Sequence, residues 1–246
     1  MCHVGEAAIG KIFASESAWY VLDEAIQIHG GMGYMQSAGL ERVMRDLRVF
    51  RIFEGNNDIL RLFVALTGLQ YVGVHLRESL QNGKNFHLTA IVDEGSKLFR
   101  RGIGMTSRPN MNEYVDPSLH RLSLSLSKAI DRFGSAVERN LLKYDTTIHD
   151  EQFLLHRIGD IAIDLFTMAV SLSRCTNSLR TQVATAAHES QLTRLWCEET
   201  YDRVNENINL IESSSFVERS QLMTKSAREL VDKSFPDPVH SSSCKE

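Results

Sequence analysis

The amino-acid sequence predicts an all-α protein, and three observations indicate this fold class. Apolar residues recur every three or four positions through most of the chain, which is the period of an amphipathic helix. The first of only four prolines is Pro109, so no proline interrupts helices before it. Finally, 43% of the 246 residues are hydrophobic, which is enough to build a core in one or two domains.

Composition argues against several classes of function. A formal charge of −4 disfavours general nucleic-acid binding, because a footprint on phosphates requires a basic surplus. The cysteines have neither zinc-site nor disulfide spacing, so we expect no metal and reduced thiols in an intracellular compartment. No apolar run approaches the roughly 20 residues that span a bilayer, and the first residues lack a secretory segment, so we expect a soluble or peripheral protein. The cysteines are Cys2, Cys175, Cys197 and Cys244.

The first predicted helix runs from about Gly5 to Gln27 and has its apolar residues on one side. Gly30 and Gly31 end it. Together with Gly33 they form a turn where the backbone can approach another group, which suits a pyrophosphate or ordinary loop closure equally well. The apolar residues are Ile12, Phe13, Trp19, Leu22 and Ile26.

The second predicted helix carries an arginine at every third residue beside an apolar face. The arginines either attract cofactor phosphates or anionic lipid, or form a solvated face paired with Glu41 and Asp46. Both interpretations stay open, and we assign none of the arginines to a site. The buried face is predicted to hold Leu40, Val43, Leu47 and Phe50, and the arginines are Arg42, Arg45, Arg48 and Arg51.

The stretch from Arg51 to Arg61 is the strongest candidate for chemistry. Glu54 lies beside a glycine, just ahead of a helix predicted to begin near Ile59. Burial would favour the neutral carboxyl group and the helix dipole would favour the carboxylate, and the sequence leaves this open. The structural alternative is that Glu54 only complements the helix dipole. The possible caps are Asn56, Asn57 and Asp58, and the apolar positions of the helix are Ile59, Leu62, Phe63, Leu66 and Leu69.

A change of composition after Gln70 predicts a domain boundary, followed by a linker over residues 71–114. Residues 81–85 and 102–110 have the composition of loops. Between them, residues 86–101 form an amphipathic segment with a basic end. This segment either rests on a membrane surface or packs on its own domain.

Residues 115–233 are predicted to form a separate helical bundle, followed by a loose tail over 234–246. Apolar residues repeat with nearly heptad spacing, which favours antiparallel packing. The histidines of this half lack the spacing of metal ligands. The first two segments carry Leu119, Leu126, Ile130, Phe133, Val137 and Leu141, then Leu154, Ile158, Ile161, Leu165, Met168 and Leu172. The third carries Leu192, Leu195, Trp196, Val204, Ile208 and Ile211, and the fourth runs from Phe216 to about Lys233.

Two motifs resemble the C-terminal signatures of the acyl-CoA dehydrogenase family. They are Gln27-Ile28-His29-Gly30-Gly31-Met32-Gly33-Tyr34 and Phe53-Glu54-Gly55-Asn56-Asn57-Asp58-Ile59. The second differs from the usual pattern at Asn56, where the family has Thr. Residues 1–70 resemble the end of the last catalytic domain of the family. The remainder resembles the helical extension of the very-long-chain branch and of its paralogue, which serves in assembly of respiratory complex I.

The resemblance implies FAD-dependent α,β-desaturation of a fatty acyl-CoA in mitochondrial β-oxidation. Glu54 would be the base that removes the proton beside the thioester carbonyl, while hydride leaves the next carbon for flavin N5. Gly55 would leave room for the thioester. Contacts to FAD are implied for Gln27, Ile28, His29, Gly30 and Gly31, and for Asn56, Asn57 and Asp58. Arg61 occupies the usual basic position after the base.

The same resemblance implies the partners and location. The segment 27–31 would reach an FAD bound mainly by another subunit, which implies a homodimer. Electron-transferring flavoprotein would accept the electrons on the matrix side of the inner mitochondrial membrane, with peripheral membrane contact through the extension. Family members carry two further domains ahead of this region, so we expect the 246 residues alone to be inactive and to bind FAD poorly.

Two other functions remain open at this point. The chain could be a binding module for assembly, related to the complex I paralogue, whose resemblance extends through Ala65-Leu66-Thr67-Gly68-Leu69-Gln70. It could also be a helical remnant with a structural use only. Flavin absorbance distinguishes the remnant from the enzyme, and flavin reduction by palmitoyl-CoA distinguishes the assembly module from the enzyme.

Overall fold

The computed structural model describes residues 2–84 and 111–233, and within these ranges the chain forms helices and turns but no strand. The all-α prediction is therefore confirmed. The α-helices are α1 Cys2–His29, α2 Gly31–Tyr34, α3 Leu40–Val49, α4 Asn57–Lys84, α5 His120–Tyr144, α6 Gln152–Arg180, α7 Ala186–Glu212 and α8 Ser214–Lys233. None of these described helices is long and apolar enough to cross a membrane.

The first helix forms as its apolar spacing predicts. Ile12 is fully buried and Leu22 nearly so, and the other predicted apolar positions of α1 are half-buried. The helix ends before Gly30, whose φ of 57° places it in the left-handed region that favours glycine. This end leads into the short α2 and the turn before α3.

The buried face predicted for α3 is wrong. Val43 and Phe50 are 45% and 41% exposed, whereas Leu40 and Leu47 are half-buried. Among the described elements α3 lies mainly against α1 and the short α2, and Phe50 at its end packs on Phe53 of the following turn, with ring centroids 5.3 Å apart. Three of the four arginines of this segment contact different side chains. Arg45 pairs with Glu41, Arg48 lies over the ring of Trp19, and Arg51 is 4.0 Å from Glu16.

Helix α4 begins at Asn57, two residues before the predicted start, and continues to Lys84. It passes through the boundary predicted after Gln70, and it includes residues 81–84 of the loop predicted at 81–85, so the loop prediction is wrong over these residues. The amphipathic segment 86–101, the loop 102–110 and the tail 234–246 lie outside the described residues. The division into domains stays a prediction.

The buried face of α4 also differs from the predicted one. Ile59 is 62% exposed and Phe63 and Leu66 are each 39% exposed, whereas Leu62 is half-buried and Leu69 buried. The helix lies between α1 and α6, and the side turned toward them includes a charged residue that apolar periodicity does not detect. The residues buried there are Arg61, Val64, Ala65 and Leu69.

Helices α5, α6 and α7 form the bundle that the heptad spacing predicts. All twelve apolar residues predicted for the first two segments are buried or half-buried. In α7, Val204, Ile208 and Ile211 are buried as predicted, but Leu192 and Leu195 are 52% and 60% exposed. Small residues take their place in the core along α7, namely Ser190, Thr193, Cys197 and Thr200.

Two apolar clusters connect the N-terminal helices to the bundle. The larger cluster contains Ala65 and Leu69 of α4 together with the bundle residues. The smaller one brings together Ile12 of α1, Val64 of α4 and Ile163 of α6. Helix α4 therefore packs on α1 on one side and on the bundle on the other.

Candidate functional site

Glu54 lies in a tight turn between α3 and α4. Its side chain is exposed, and its φ of 52° is in the left-handed region, which is uncommon for a residue other than glycine. Gly55 follows with a φ of 100°, and a Cβ there would stand 3.1 Å from Cδ2 of Leu60. The turn thus holds Glu54 in a backbone conformation that costs free energy.

Asn56 is the residue that caps α4. Its Oδ1 atom accepts a 2.9 Å hydrogen bond from the backbone N–H of Asp58, and its carbonyl accepts one of 2.9 Å from Leu60. Asp58 lies exposed in the first turn, where a carboxylate complements the helix dipole. Asn56, the first of the three capping residues that the sequence allows, is therefore the one that caps the helix.

Asn57 points into the protein and is only 2% exposed. Its Nδ2 atom donates to Ser15 Oγ at 2.9 Å and to Glu16 Oε1 at 3.1 Å. Its Oδ1 atom accepts from Lys11 Nζ at 2.6 Å, and the same ammonium donates to the carbonyl of Gly55 at 2.7 Å. Both ends of the amide are therefore used within the chain, and the turn is tied to α1.

Arg61 continues this network toward the bundle. Its guanidinium donates to both carboxylate oxygens of Glu16, at 2.8 and 2.5 Å, and its Nε atom donates to Asp160 Oδ1 of α6 at 2.7 Å. The second oxygen of Asp160 lies 3.2 Å from His156 Nδ1. With a side chain only 11% exposed, Arg61 is a cation held between two carboxylates from different helices.

The ionisation of these groups follows from their surroundings. Burial favours the neutral form of Glu16, but the hydrogen bonds and charge of Arg61 outweigh it, so the pKa of Glu16 is lowered. The same balance, with His156 and Arg61 as partners, lowers the pKa of Asp160. Farther along α6, burial outweighs the two hydrogen bonds from Arg203 and raises the pKa of Asp164. The Arg61 network is therefore ionised at neutral pH.

The other predicted cofactor segment, Gln27–Gly31, lies at the C-terminal end of α1. All of its residues are exposed, Ile28 at 82%. A Cβ on Gly33 would stand 2.5 Å from the carbonyl of Ile26, so the turn after this segment closes too tightly for a side chain. Ser15, which bonds Asn57, is twelve residues before Gln27, or about 18 Å along the helix. The turn at residues 54–58 therefore contacts the first half of α1, through Lys11, Ser15 and Glu16. Segment 27–31 lies at the other end of the same helix.

A groove of about 710 Å³ opens beside this network, between α1, α6 and α7. Its wall contains Arg61 and Asp160, and Phe13 meets Trp196 edge-on there, with ring centroids 5.4 Å apart. Sequence reasoning missed this region, because its residues come from four helices, α1, α4, α6 and α7. Among the residues that the structure describes, no group of three or more His, Cys, Asp or Glu side chains is arranged to hold a metal ion.

Comparison with known proteins supplies the family. Residues 2–69 match the model for the acyl-CoA dehydrogenase C-terminal domain, and residues 117–235 match the model described as ACAD9/ACADV, C-terminal domain. The chain belongs to the acyl-CoA dehydrogenase family. The first match covers the turn that holds Glu54, and the second covers helices α5 to α8.

Curated relatives of this chain include the very long-chain specific acyl-CoA dehydrogenases of mitochondria. The Rattus norvegicus protein is 46% identical over 85% of this chain, and the Homo sapiens protein is 47% identical over 85%. The chain spans 32% of the length of each. A solved acyl-CoA dehydrogenase from Bacillus anthracis, complexed with FAD, is 26% identical with a TM-score of 0.65, covering 92% of this chain and 36% of that one.

Proposed function

We propose that this chain is the C-terminal part of an FAD-dependent acyl-CoA dehydrogenase that desaturates long or very long fatty acyl-CoA thioesters between the α and β carbons. The observation that carries the proposal is the turn at Glu54. An exposed carboxylate stands there on a strained backbone, and hydrogen bonds centred on the buried amide of Asn57 hold the residues after it. Strain of this kind persists where the surroundings enforce it, and it is concentrated at functional sites.

Glu54 is the proposed base. Its carboxylate is free to approach a substrate proton, whereas Asp58 lies in the first turn of α4, where its charge complements the helix dipole. Gly55 next to it is exposed and has no side chain, and we keep for it the role of leaving room for the thioester. Lys11 lies close enough to attract the charge of Glu54. The same ammonium donates to the carbonyl of Gly55, which ties the turn that carries the base to α1.

The residues present fit one edge of an FAD. Segment 27–31 offers an exposed amide at Gln27, an exposed imidazole at His29 and an open glycine turn. When bound, FAD supplies the hydride-accepting chemistry. Asn56 and Asp58 are exposed on the loop side and are kept as contacts. Asn57 has both ends of its amide already bonded within the chain, so we assign it to positioning of the turn.

The distance between the two segments supports an oligomeric enzyme. Residues 27–31 stand about 18 Å along α1 from the network below Glu54, so a homodimer in which each segment serves a different FAD accounts for both. The names of the mitochondrial relatives support a mitochondrial location, and we extend it to the matrix side of the inner membrane with peripheral contact. Electron-transferring flavoprotein is the proposed electron acceptor.

An assembly function is the second candidate. The family model that matches residues 117–235 covers two branches, ACAD9 and ACADV, so the bundle alone does not separate an enzyme from an assembly factor. The glutamate at position 54 favours the enzyme. An assembly module without turnover would bind FAD but would not have its flavin reduced by palmitoyl-CoA.

The test uses a chimera in which the rat relative supplies the part of the protein that precedes the match to this chain. Glu54→Gln keeps the size of the side chain and one acceptor oxygen, but its amide cannot accept a proton as the carboxylate does. We expect it to retain FAD while the rate of flavin reduction by palmitoyl-CoA falls by roughly 10²- to 10⁴-fold. Asp58→Asn is the matched control and should lose far less. Equal flavin reduction by Glu54→Gln and the parent would remove Glu54 from the mechanism.

A further inference from the structure

A bridge of charged side chains connects the bundle to the candidate catalytic turn. Asp160 of α6 holds Arg61 at 2.7 Å, and Arg61 holds both oxygens of Glu16. From there Glu16 accepts from the amide of Asn57 at 3.1 Å. The amide oxygen of Asn57 meets Lys11, which also donates to the carbonyl of Gly55, directly after Glu54. Every link is a direct hydrogen bond between charged or amide groups.

The backbones of α4 and α6 come close at the same point. A Cβ on Gly159 would stand 2.9 Å from the carbonyl oxygen of Arg61, so the two helices touch without an intervening side chain. Arg61 is therefore fixed through its backbone by Gly159 and through its guanidinium by Asp160. A displacement of α6 at this point therefore moves the backbone and the guanidinium of Arg61 directly.

We propose that Asp160 is a positioning residue for Glu54, acting through Arg61, Glu16 and Asn57, so that the bundle takes part in organising the catalytic turn. This rests on the proposed function of Glu54. Asp160 touches neither Glu54 nor, in the proposal, the substrate. Loss of Asp160 leaves a nearly buried Arg61 with one carboxylate where it had two. The guanidinium and Glu16 then shift, and Asn57 and the turn lose their fixed support.

The chain offers a matched control four residues farther along α6. Asp164 also pairs with an arginine across a helix interface, accepting from Arg203 of α7 at 2.9 and 2.8 Å. Its side chain is 11% exposed, against 21% for Asp160. Asp164→Asn thus removes the same charge from the same helix and breaks another ion pair with an arginine, but it leaves intact the hydrogen bond that Asp160 accepts from Arg61.

The first arm of the test uses this chain alone and measures hydrogen exchange of backbone amides. The N–H of Asn57 donates to the carbonyl of Arg51 at 3.1 Å and reports opening of the turn. Val137 in the core of α5 reports global opening. We expect Asp160→Asn to speed exchange at Asn57 by about tenfold or more relative to Val137, because a charge-assisted hydrogen bond is lost. Asp164→Asn should leave that ratio unchanged.

Equal ratios in the two variants, or a rise at Val137 as large as that at Asn57, would overturn the proposal and reduce Asp160 to a stabilising contact. Asp160→Glu, which keeps the charge on a longer side chain, replaces the amide variant if the latter does not fold. It should raise exchange at Asn57 by a smaller factor, and an unchanged ratio there would overturn the proposal as well.

The second arm uses the FAD-loaded chimera with the rat relative. We expect Asp160→Asn to lower the rate of flavin reduction at saturating palmitoyl-CoA by about ten- to a hundredfold with KM unchanged, because misplacement of a catalytic group by about 1 Å costs that much. Asp164→Asn should retain the parent rate. If the parent chimera itself reduces no flavin, the proposed function fails while the exchange arm still decides the coupling. If it does reduce flavin and both variants match it, the positioning role of Asp160 fails and the proposed function stands.

Discussion

Gly159 of α6 and Arg61 of α4 are in backbone contact, since a Cβ on the glycine would lie 2.9 Å from the arginine carbonyl oxygen. Real Cβ atoms do not come that close to a backbone oxygen, so any side chain at this position forces the helices apart. We predict that Gly159→Ala lowers the free energy of unfolding by about 1–3 kcal/mol, as overpacking does in other cores. Urea unfolding followed by circular dichroism measures it.

Gly68→Ala is the control for that substitution. Gly68 lies within α4, and nothing stands within 4 Å of the position a Cβ would take. Alanine has the higher helix propensity, so this variant should gain about 0.5–1 kcal/mol. A Gly159→Ala protein as stable as Gly68→Ala would mean that α4 and α6 are not in backbone contact.

The backbone conformation of Glu54 should lower the stability of the protein, although the proposed function requires a glutamate there. Its φ of 52° is unfavourable for glutamate and tolerated by asparagine. We predict that Glu54→Asn raises the free energy of unfolding by about 0.5–1 kcal/mol, although the proposed base is lost. Thermal unfolding of the two proteins at one pH measures the difference.

Gln182 supplies the matched control, because its φ is also 52° and it is exposed in the turn between α6 and α7. Gln182→Asn relieves the same backbone strain at a position without a proposed function. The two substitutions should stabilise the protein equally. A Glu54→Asn protein less stable than the parent would show that the Glu54 carboxylate makes a structural contribution.

Acid should weaken the Arg61 network. The pKa values of Glu16 and Asp160 are lowered in the folded protein from unfolded values of about 4.3 and 3.9. Carboxylates of this kind contribute stability that is fully present above the unfolded pKa and is lost as pH falls through the folded pKa. We predict that the free energy of unfolding drops as pH falls below about 4, and that the drop is smaller in Glu16→Gln. Urea midpoints across the acid range measure it.

Asp164 should contribute to the pH dependence of the free energy of unfolding with the opposite sign. Its pKa is raised in the folded state, so it costs stability when ionised, and this cost is relieved as pH falls through the folded pKa toward the unfolded one. Asp164→Asn removes that relief and should make the loss of stability in acid steeper, where Glu16→Gln makes it shallower. Parallel pH profiles in the two variants would contradict the assigned directions.

The helices were predictable where one helix face is uniformly apolar. Helix α1 and the first two bundle segments have long repeats that place Ile12, Leu126 and Ile161 in the core, and the structure confirms them. The prediction was wrong where burial does not follow hydrophobicity. Helix α4 buries Arg61 and exposes Ile59, because two carboxylates satisfy the arginine at an interface that periodicity does not reveal.

The candidate site was predictable in its composition and not in its architecture. Glu54 and its neighbours are contiguous in sequence, so a motif could identify them. Asp160 is 99 residues from Arg61, and Ser15 is 42 residues from Asn57. Such pairs depend on how helices cross, which a single sequence does not specify. The left-handed conformation of Glu54 has no sequence signal either, because glutamate does not favour it.

The prediction that the bundle folds by itself can be tested through its interface with α4. Residues 111–233 contain most of the larger apolar cluster, so we expect this fragment to fold with helical circular dichroism and cooperative unfolding. It lacks Ala65 and Leu69 of α4, which pack against the bundle core in the whole chain. The fragment should therefore be less stable than the whole chain by roughly 3 kcal/mol, the value of one to two buried apolar side chains.

A substitution at Ile163 tests whether the fragment is less stable because it lacks this interface. In the whole chain it is 6% exposed and packs with Ile12 of α1 and Val64 of α4. In the fragment those neighbours are absent, so its side chain faces water. Ile163→Thr should cost about 1–3 kcal/mol in the whole chain and close to nothing in residues 111–233, because only the whole chain buries the ethyl group that a hydroxyl replaces. Equal costs in both proteins would mean that α6 does not pack on α1 and α4 through this residue, and a fragment without helical circular dichroism would show that the bundle depends on α4 to fold.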